Sequence, residues 1–481
     1  MASDLCRDPG LPVDNPTPSY WQQPANTTFS SNSKSPPAQA VGRDIVIIGS
    51  GITAASVAWH LLTQSPELNV TIVEARGVCS GATGRNGGRI NATAVQDFDK
   101  YTKIFGRDHA MQIVRFELAH WREMWELVRS IGPELIEKSE YRYISALLAV
   151  FEDDQLNELR RMLISFETSF PDVRNKWRIV EKQEMRTTYG IGNAVGGLLG
   201  MAGAAWPYRM VTGIFEHLKN KFPSRFWIHE NAPVFTVRRD DSQTPPYTLG
   251  TAYGAIRAKH VIHCTEGHTA HLVPKLGGIL VPRRGQMTVQ NPGKDFPKHK
   301  LQSWSFYMQG VFDYSTANAK TGEIFIGGGE PENRKYSAGV SSDAENELGA
   351  LAHLDGVLPT ALGIQNWGSD QIGKPRVKAA WTGIMGFSLD HAPFVGPLPE
   401  ALLDRPLGTS DSREWISAGY GGYGMVNAFL CGKALAMMVL GKNDQVDLPR
   451  PYFLTEQRAG ALLKELKRVQ GSNEEHIRAL L

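Results

Sequence analysis

Hydrophobic positions near the start of the chain predict a strand, a helix and a second strand in close succession. Residues 45–48 form a continuous β-branched run, as in a parallel strand that is covered on both faces. A helix is predicted from Ile52, and a second β-type run covers residues 69–73. Because only a tight turn separates the first strand from the helix, residues 44–74 predict a βαβ unit.

Further periodic runs predict additional layers of structure. Apolar residues recur at helical spacing in residues 107–131, 153–166, 207–221, 425–440 and 455–469. Residues 144–150 predict a strand, and alternating runs at 226–229, 234–237, 247–251 and 255–263 predict the strands of a small sheet. Runs at 281–287, 304–307 and 323–326 predict a second, largely antiparallel sheet that roofs the site.

The turn between the first strand and the helix reads G-x-G-x-x-A. Gly49 allows the sharp turn, Gly51 lets backbone N–H groups approach a pyrophosphate, and Ala54 is small where helix packs on strand. Glu74 follows 23 residues after Gly51, where a carboxylate binds the ribose 2′-hydroxyl of a dinucleotide. Charge repulsion disfavours a 2′-phosphate there, so the unit predicts NAD or FAD and not NADP.

A glycine-rich loop at residues 78–90 is expected to line the cofactor. Its glycines let backbone amides face an anion or a flat ring, and its polar side chains offer hydrogen-bond donors. The residues concerned are Ser80, Gly81, Thr83, Gly84, Arg85, Asn86, Gly87 and Gly88.

A second glycine-rich segment, residues 419–425, joins a predicted strand to an apolar helix. Because that helix is apolar nearly all round, its N-terminus is buried and its N–H groups need a partner with partial negative charge. A flavin pyrimidine carbonyl meets this need, and NAD does not require a second contact of this kind. The segment therefore favours FAD. Thr265, after the strand at 255–263, is a further expected pyrophosphate neighbour.

Composition narrows the class of protein. The 481 residues allow two or three domain-sized cores, and 42% hydrophobic with 21% charged residues is ordinary for a globular protein. A net charge of +2 without long runs of one sign argues against a nucleic-acid partner. The four cysteines lack metal-ligand spacing, so neither a disulfide framework nor a metal site is predicted. No signal peptide and no membrane span is predicted, so a cytoplasmic protein is expected.

The G-x-G-x-x-A turn, Glu74, the loop at 80–88, Arg284-Gly-Gln286 and the segment 419–425, taken in this order, resemble the D-amino-acid oxidase-like FAD-dependent oxidoreductases. That family includes glycine and sarcosine oxidases and gamma-glutamylputrescine oxidoreductases. The resemblance covers roughly residues 44–440. It implies a Rossmann-like α/β FAD-binding domain with a parallel sheet, interleaved with an α+β substrate domain on a largely antiparallel sheet.

By this resemblance Glu74 binds the adenosine ribose, the helix from Ile52 binds the pyrophosphate, and Val234 contacts the adenine. Sarcosine-oxidase-like members attach flavin through a cysteine shortly before the aspartate that matches Asp390. This chain has no cysteine there, so noncovalent FAD is expected. The remaining implied cofactor residues are Thr53, Ala75, Arg76, Ala82, Gly421, Gly422, Tyr423, Gly424 and Met425.

The implied reaction is oxidation of an amine C–N bond, with hydride passing to flavin N5, hydrolysis of the imine, and O2 or another acceptor reoxidising the flavin. Family members that act on small amino acids carry an arginine where this chain has Met385, and methionine cannot make a bidentate bond to a carboxylate. An amine is therefore the expected substrate, unless Arg284 or another arginine replaces that contact. Candidate pocket residues are Arg284, Trp304, Tyr307, Trp381, Met385 and Tyr423.

Two other functions are consistent with the sequence. One is a flavin-dependent dehydrogenase or tailoring enzyme that acts on a larger metabolite, and the other is a non-catalytic dinucleotide-binding protein. The three aromatic residues Trp304, Tyr307 and Trp381 fit a role as core residues of the roofing sheet equally well. The sequence leaves the oligomeric state open.

The predicted domain organisation is discontinuous. Residues 1–43 form an extended arm, and residues 444–481 form a helical tail. The FAD-binding domain comprises 44–105, 200–275 and 375–443, and the substrate domain comprises 106–199 and 276–374.

Overall fold

The computed structural model describes residues 5–29, 43–297, 301–329, 337–408 and 411–470. Parts of the predicted arm at 1–43 and of the predicted tail at 444–481 lie outside these residues. Within them the chain forms two sheets flanked by helices, which is the predicted mixed α/β class.

The strands are β1 Arg43–Ile48, β2 Val70–Val73, β3 Arg89–Ile90, β4 Arg142–Val150, β5 Arg178–Glu181, β6 Gly196–Ala204, β7 Phe226–His229, β8 Val234–Arg239, β9 Tyr247–Thr251, β10 Gly254–His263, β11 Leu280–Gln290, β12 Gln302–Met308, β13 Val311–Ala317, β14 Ile324–Gly328, β15 Val377–Ser388, β16 Phe394–Pro397 and β17 Glu414–Ala418. The helices are α1 Ile52–Gln64, α2 Ala94–Phe105, α3 Arg107–Ile131, α4 Pro133–Ser139, α5 Asp153–Ser169, α6 Lys182–Thr187, α7 Pro207–Lys221, α8 Thr269–Leu272, α9 Leu348–Leu362, α10 Ile364–Trp367, α11 Ala428–Val439 and α12 Glu456–Gln470.

The first sheet carries the βαβ unit. Its strands lie in the order β16–β17–β10–β1–β2–β7, and those from β17 to β7 run parallel. Ile45, Val46 and Ile47 on central β1 are fully buried, which explains the continuous apolar run. Of the four runs predicted as a small sheet, β8, β9 and β10 pair with one another in antiparallel order. Strands β7 and β10 also extend the parallel sheet by pairing with β2 and β1, which lie far away in sequence.

Helices α1 and α11 pack together, and a glycine permits their close approach. A Cβ on Gly432 would lie 2.8 Å from both the Thr53 carbonyl oxygen and Ser56 Cβ. The Ser56 hydroxyl donates to the Phe429 carbonyl oxygen at 2.6 Å. Each helix follows a parallel strand, so both N-termini lie at the carboxyl edge of the sheet, where such sheets bind ligands.

The second sheet is largely antiparallel, as predicted. Its order is β15–β11–β14–β13–β12–β4–β6–β3, with β5 on β6, and β12 pairs with β4 in parallel. Strand β15 runs from Val377 to Ser388 and pairs with β11 along this length, so Gly383 and Gly386 are strand residues.

The sheets and the predicted domain boundaries differ at three places. Strands β3, β6 and β15 belong to the second sheet, whereas the predicted FAD-binding segments 44–105, 200–275 and 375–443 include all of β3, part of β6 and all of β15. Their partners β6, β4 and β11 are remote in sequence, so no local pattern shows the pairing. The division into domains stays a prediction.

No helix among the described residues is long and apolar enough to cross a membrane. Cys6, Cys79, Cys264 and Cys431 are free thiols. Within the same part of the chain, no group of three or more histidine, cysteine or carboxylate side chains is arranged to hold a metal ion.

Candidate active site

A cleft of about 1300 Å³, counting its open mouth, lies between the two sheets. The first sheet contributes the carboxyl ends of β1 and β2, and the start of α1 adjoins them. The loop after residue 80, the segment 264–272, strand β15 and the turn before α11 complete the walls. The fold thus brings together segments that lie several hundred residues apart in the sequence.

Close backbone contacts shape the turn from β1 into α1. Gly49 has φ +100°, and a Cβ there would lie 2.5 Å from the Cys264 carbonyl oxygen. The Ile52 amide donates to Thr83 Oγ1 at 3.0 Å. The amides of Gly51 and Thr53 have no partner among the described residues, and no side chain caps the helix. The positive end of α1 therefore faces the cleft with unpaired N–H groups, which fits a pyrophosphate.

Glu74 lies in the cleft wall just after β2. One carboxylate oxygen accepts hydrogen bonds from the Ser50 amide at 3.0 Å and the Ser50 hydroxyl at 2.6 Å. The other accepts from the Arg76 amide at 3.0 Å. These bonds fix the orientation of the carboxylate and leave acceptor capacity for ribose hydroxyl groups.

Arg76 and Arg85, which the sequence placed at the cofactor, have their guanidinium groups paired with a buried carboxylate. Arg76 Nη1 lies 3.0 Å and Arg85 Nε 3.3 Å from the Asp343 carboxylate. Arg85 also donates to the carbonyl oxygens of Thr17 and Thr382 at 2.9 and 2.8 Å. Burial lowers the pKa of Arg85 to about 10, and the charge of Asp343 opposes that shift. We call Arg76, Asp343 and Arg85 the buried triad; it ties the loop, the N-terminal segment and β15 together.

The N-terminal segment covers the glycine-rich loop. The ring of Trp21 stacks on Phe325 with centroids 3.7 Å apart, and its indole N–H donates to the Asn86 carbonyl oxygen. The Ser19 hydroxyl donates to the Gly84 carbonyl oxygen at 2.7 Å. Residues 10–12 reach the cleft itself. The described part of the predicted arm is therefore packed on the loop.

The turn before α11 presents backbone amides to the cleft. Gly421 and Gly422 have φ values of +57° and +86°, a conformation that favours glycine. The amides of Gly422, Gly424 and Met425 have no partner among the described residues. Met385 lies opposite, with its sulfur 3.7 Å from the position of a Cβ on Gly422. The electron-rich edge of a flat ring would satisfy these amides.

Glu266 supports this turn, although sequence patterns did not single it out. Its carboxylate accepts hydrogen bonds from the amides of Gly386 at 2.9 Å, Gly419 at 2.9 Å and Tyr420 at 3.3 Å. Burial raises the pKa of Glu266 to about 7, and the three amides oppose that shift. Glu266 thus joins β15 to the turn. The adjacent Thr265 was predicted from the sequence, whereas Glu266 was not. Its hydrogen-bond partners lie more than a hundred residues away, so no local pattern indicates them.

Most predicted cofactor residues line the cleft. They are Gly49, Gly51, Ile52, Thr53, Glu74, Ala75, Arg76, Gly81, Ala82, Thr83, Asn86, Val234, Thr265, Gly422, Gly424 and Met425. The predicted residues outside its lining are Ser80, Gly84, Arg85, Gly87, Gly88, Gly421 and Tyr423. Gly87 faces the second sheet, since a Cβ there would lie 2.6 Å from the Tyr314 ring. The lining also includes Asp343, His268 and His271, which no local motif indicated.

Of the predicted substrate contacts, Met385 lines the cleft and the others do not. Trp381 is fully buried and donates its indole N–H to the Arg85 carbonyl oxygen at 2.7 Å, so it supports the loop. Arg284 precedes Gly285, whose Cβ position lies 2.9 Å from Met385 Cε. Strand alternation therefore places Arg284 on the face opposite to Met385, that of its pairing partner Ile384, and Arg284 itself does not line the cleft.

The other two aromatic candidates lie away from the cleft. Tyr307 is exposed at the far end of β12. Trp304 packs edge-on against Phe296 with ring centroids 5.5 Å apart, in a separate hydrophobic cluster. Trp304 therefore has the alternative role of a core aromatic in the roofing sheet, whereas exposed Tyr307 has neither of the two predicted roles.

Two buried carboxylates lie behind the turn. Glu117 on α3 accepts from the Tyr101 hydroxyl at 3.0 Å and the Asn427 amide at 3.4 Å, and its second oxygen has no partner among the described residues. The Thr93 hydroxyl donates to Asp97. Burial raises the pKa of Asp97, and burial with the nearby charge of Asp97 raises the pKa of Glu117 to about 8. Glu117 is therefore mainly protonated at neutral pH.

This protonation predicts a pH dependence of stability. The folded-state pKa of Glu117 exceeds its ordinary value of 4.5, so its contribution is complete below that pH and is lost as pH rises through about 8. Between pH 4.5 and about 8, we expect this group to lower the free energy of unfolding by up to about 1.4 kcal/mol for each pH unit of increase. Glu117→Gln imitates the neutral acid and should reduce the slope. Urea unfolding of both proteins across the window is the measurement, and equal slopes would contradict the assignment.

The unpaired amides at the start of α1 and in the turn before α11, a carboxylate after β2 and a roof from a second sheet define the class as a flavin dinucleotide oxidoreductase. Residues 44–438 match the family described as FAD dependent oxidoreductase (DAO), and the chain belongs to this family. FAD is accordingly its cofactor. The donors fit it, because the α1 amides suit the pyrophosphate and the 419–425 amides suit the flavin ring.

Individual relatives are similar over nearly their whole lengths. The chain is 22% identical over 439 residues to gamma-glutamylputrescine oxidoreductase of Escherichia coli (strain K12), covering 90% of this chain and 91% of that protein. The fold resembles glycine oxidase from Geobacillus kaustophilus, with TM-score 0.65, 18% identity and coverage of 86% and 98%. It also resembles L-proline dehydrogenase from P. horikoshii, with TM-score 0.61, 17% identity and coverage of 85% and 96%.

Noncovalent attachment of FAD is expected from the state of the nearby cysteines. Cys264 lines the cleft, and burial raises the pKa of its thiol. Burial also raises the pKa of Cys431 well above its ordinary value. Neither group is in the thiolate form that reacts. Acid precipitation of the purified protein should therefore release the flavin into the supernatant, and flavin retained in the pellet would contradict this prediction.

Proposed function

We propose that the protein oxidises the C–N bond of a small amine. Two of the relatives above are named for gamma-glutamylputrescine and glycine, and both compounds contain an amine. The observation that carries the proposal is the turn at 419–425, whose unpaired amides face the cleft opposite Met385. A protein that only bound a dinucleotide would not need this second contact.

When bound, FAD supplies the acceptor for hydride from the carbon next to nitrogen, after which water hydrolyses the imine. The protein positions the reacting groups and stabilises the charge that develops during the reaction. The amides of Gly424 and Met425 in the turn before α11 stabilise negative charge that develops near them. Glu266 holds that turn against β15, and the apolar side chains of Ile384 and Met385 keep water from the reacting carbon. No dedicated base is required if the amine binds in its neutral form.

Molecular oxygen is the proposed electron acceptor. The alternative is a dehydrogenase that passes electrons to another acceptor, and the fold resemblance to both an oxidase and a dehydrogenase is compatible with either. Hydrogen peroxide formation in air during turnover supports the oxidase. Flavin reduction without peroxide, followed by reoxidation only with an added dye, supports the dehydrogenase.

The proposed function is tested by anaerobic mixing of the FAD-loaded protein with amines, amino acids and N-methyl compounds. At least one amine should bleach the flavin absorbance, and the carbonyl product should form with one equivalent of released amine nitrogen. A matched panel of alcohols is the control, since these compounds lack a C–N bond. Bleaching by alcohols alone, or by none of the amines, would contradict the proposal.

A further inference from the structure

We propose that a segment before the βαβ unit forms part of the FAD site and covers the adenosine end of the bound cofactor. The segment comprises residues 8–13, and we call it the strap. It lies outside residues 44–438, which match the family, so the family match assigns it no role. The inference rests on FAD as the cofactor and is independent of the proposed amine substrate.

The strap contributes directly to the wall of the cleft. Its residues Gly10, Leu11 and Pro12 line the cleft, and so do His268 and His271 on the segment that follows β10. His268 Nδ1 donates to the Gly10 carbonyl oxygen at 3.1 Å. The strap belongs to no strand or helix. One wall of the cleft therefore comes from the N-terminal segment and not from either sheet.

The contacts of the strap place it at the end of the cleft that suits the adenosine. Arg76 Nη1 donates to the Val13 carbonyl oxygen at 3.2 Å, and Arg76 lies two residues after Glu74, whose carboxylate fits the ribose. His271 lies in α8, which packs against β8, and β8 begins at the cleft residue Val234. The strap therefore meets the cleft where Glu74 and Val234 line it.

Polar contacts at both ends hold the strap in place. At its start, both oxygens of the Asp8 carboxylate lie 3.0 Å from His271 Nδ1. Shortly after its end, the Thr17 amide donates to the carbonyl oxygen of Asp343, a member of the buried triad, at 2.7 Å. Two prolines within the strap fix φ, so less conformational entropy is lost when it docks. The strap is thus built to stay over the cleft.

The ring of His271 has an unsatisfied nitrogen that a bound cofactor can satisfy. The Asp8 carboxylate accepts from Nδ1–H and so orients the ring. Nε2 of the same ring is buried and has no partner among the described residues. In the neutral ring Nε2 is an acceptor, which fits a ribose hydroxyl or the adenine amino group. A buried polar atom without a partner is costly, and this cost favours a ligand at the site.

A cofactor covered by the strap leaves only after the strap detaches. FAD release should therefore be slow, and bound FAD should hold the strap in place, because the coupling between two binding events is reciprocal. Arg7 is exposed and directly precedes the strap, so trypsin can cleave after it once the strap has opened. Bound FAD should protect this peptide bond.

The first test compares FAD release from wild type, Asp8→Ala, His271→Phe and a variant that lacks residues 2–13. The fluorescence of free flavin after dilution of the FAD-loaded protein gives the rate. Release should be about 2- to 5-fold faster in Asp8→Ala and roughly 5- to 50-fold faster in His271→Phe, with the truncated protein at least as fast. Asp14→Ala is the matched control, since Asp14 is an exposed carboxylate next to the strap that does not line the cleft. Its release rate should equal that of wild type.

Trypsin digestion is the second test, with mass spectrometry of the shortened N-terminus. Saturating FAD should slow cleavage after Arg7 at least about fivefold in wild type, and His271→Phe should lose this protection. Equal FAD release from wild type and His271→Phe overturns the inference, and so does a cleavage rate in wild type that FAD does not change. If the truncated protein does not fold, the point variants decide the outcome. Neither test uses a substrate, so failure of the proposed function would leave both results valid.

Discussion

Gly51→Val is expected to leave the protein folded but nearly free of FAD. A Cβ at this position lies 3.0 Å from Thr83 Oγ1, and the two methyl groups of valine extend into the space in front of the α1 amides. The pyrophosphate would lose both its room and its approach to the helix N-terminus. We expect FAD affinity to fall by at least about 100-fold, or about 2.7 kcal/mol. The flavin-to-protein absorbance ratio and titration of the apoprotein with FAD measure the effect.

Gly356→Ala is the control for replacing a glycine as such. Gly356 lies in α9, and a Cβ there has no atom within 4 Å. Alanine should keep full FAD content and stabilise the helix by about 0.5–1 kcal/mol. Circular dichroism of Gly51→Val should match wild type. Stoichiometric FAD in Gly51→Val would contradict the placement of the pyrophosphate at α1.

Asp343→Ala is expected to be strongly destabilising, because it leaves two buried guanidinium groups without their shared counter-charge. Arg76 and Arg85 both pair with this carboxylate, and the Asp343 side chain is 3% exposed. Removing one partner from a buried ion pair typically costs about 3–5 kcal/mol. Urea unfolding with saturating FAD measures the loss. Asp343→Asn keeps the shape without the charge and separates the electrostatic part from the cavity.

Asp172→Ala is the matched control, because it removes a carboxylate that forms an ion pair of similar distances at the protein surface. Asp172 and Arg115 form two hydrogen bonds of 3.0 Å, but both side chains are 52% exposed. Solvent screens such a pair, so the variant should unfold close to wild type. A loss in Asp343→Ala no greater than that in Asp172→Ala would show that the buried triad does not hold the loop.

The βαβ unit was predictable because its signals are local. The apolar run before Gly49 follows from burial of β1 on both faces, and Gly49 is required by its positive φ and the nearby Cys264 carbonyl oxygen. The helix at Arg107–Ile131 was predicted with its observed bounds, since an amphipathic helix shows its period directly. Where a pairing partner lay far along the chain, as β2 does for β7, the strand itself was predicted but its place in the parallel sheet was not visible locally.

The candidate site shows the same division. Glycines at tight turns and a carboxylate after a strand are visible locally, and Gly51, Glu74, Gly424 and Met425 all line the cleft. The roles of charged side chains were harder to predict, because the partner of a charged group is set by the tertiary structure and not by its neighbours in the sequence. Arg85 pairs with Asp343, while Arg89, four residues later, donates a hydrogen bond to the Ser305 hydroxyl.

The sequence by itself determined the dinucleotide unit, the preference for FAD and the family, because glycine turns and buried strands have fixed local requirements. Only the tertiary structure decided which polar groups serve the protein and which face the cleft. In the folded protein Arg76 and Arg85 form ion pairs with Asp343, Trp381 donates a hydrogen bond to the loop, and Glu266 accepts one from the turn. The physical reason is that a buried charge must be compensated, and its compensating group is found in space and not along the chain.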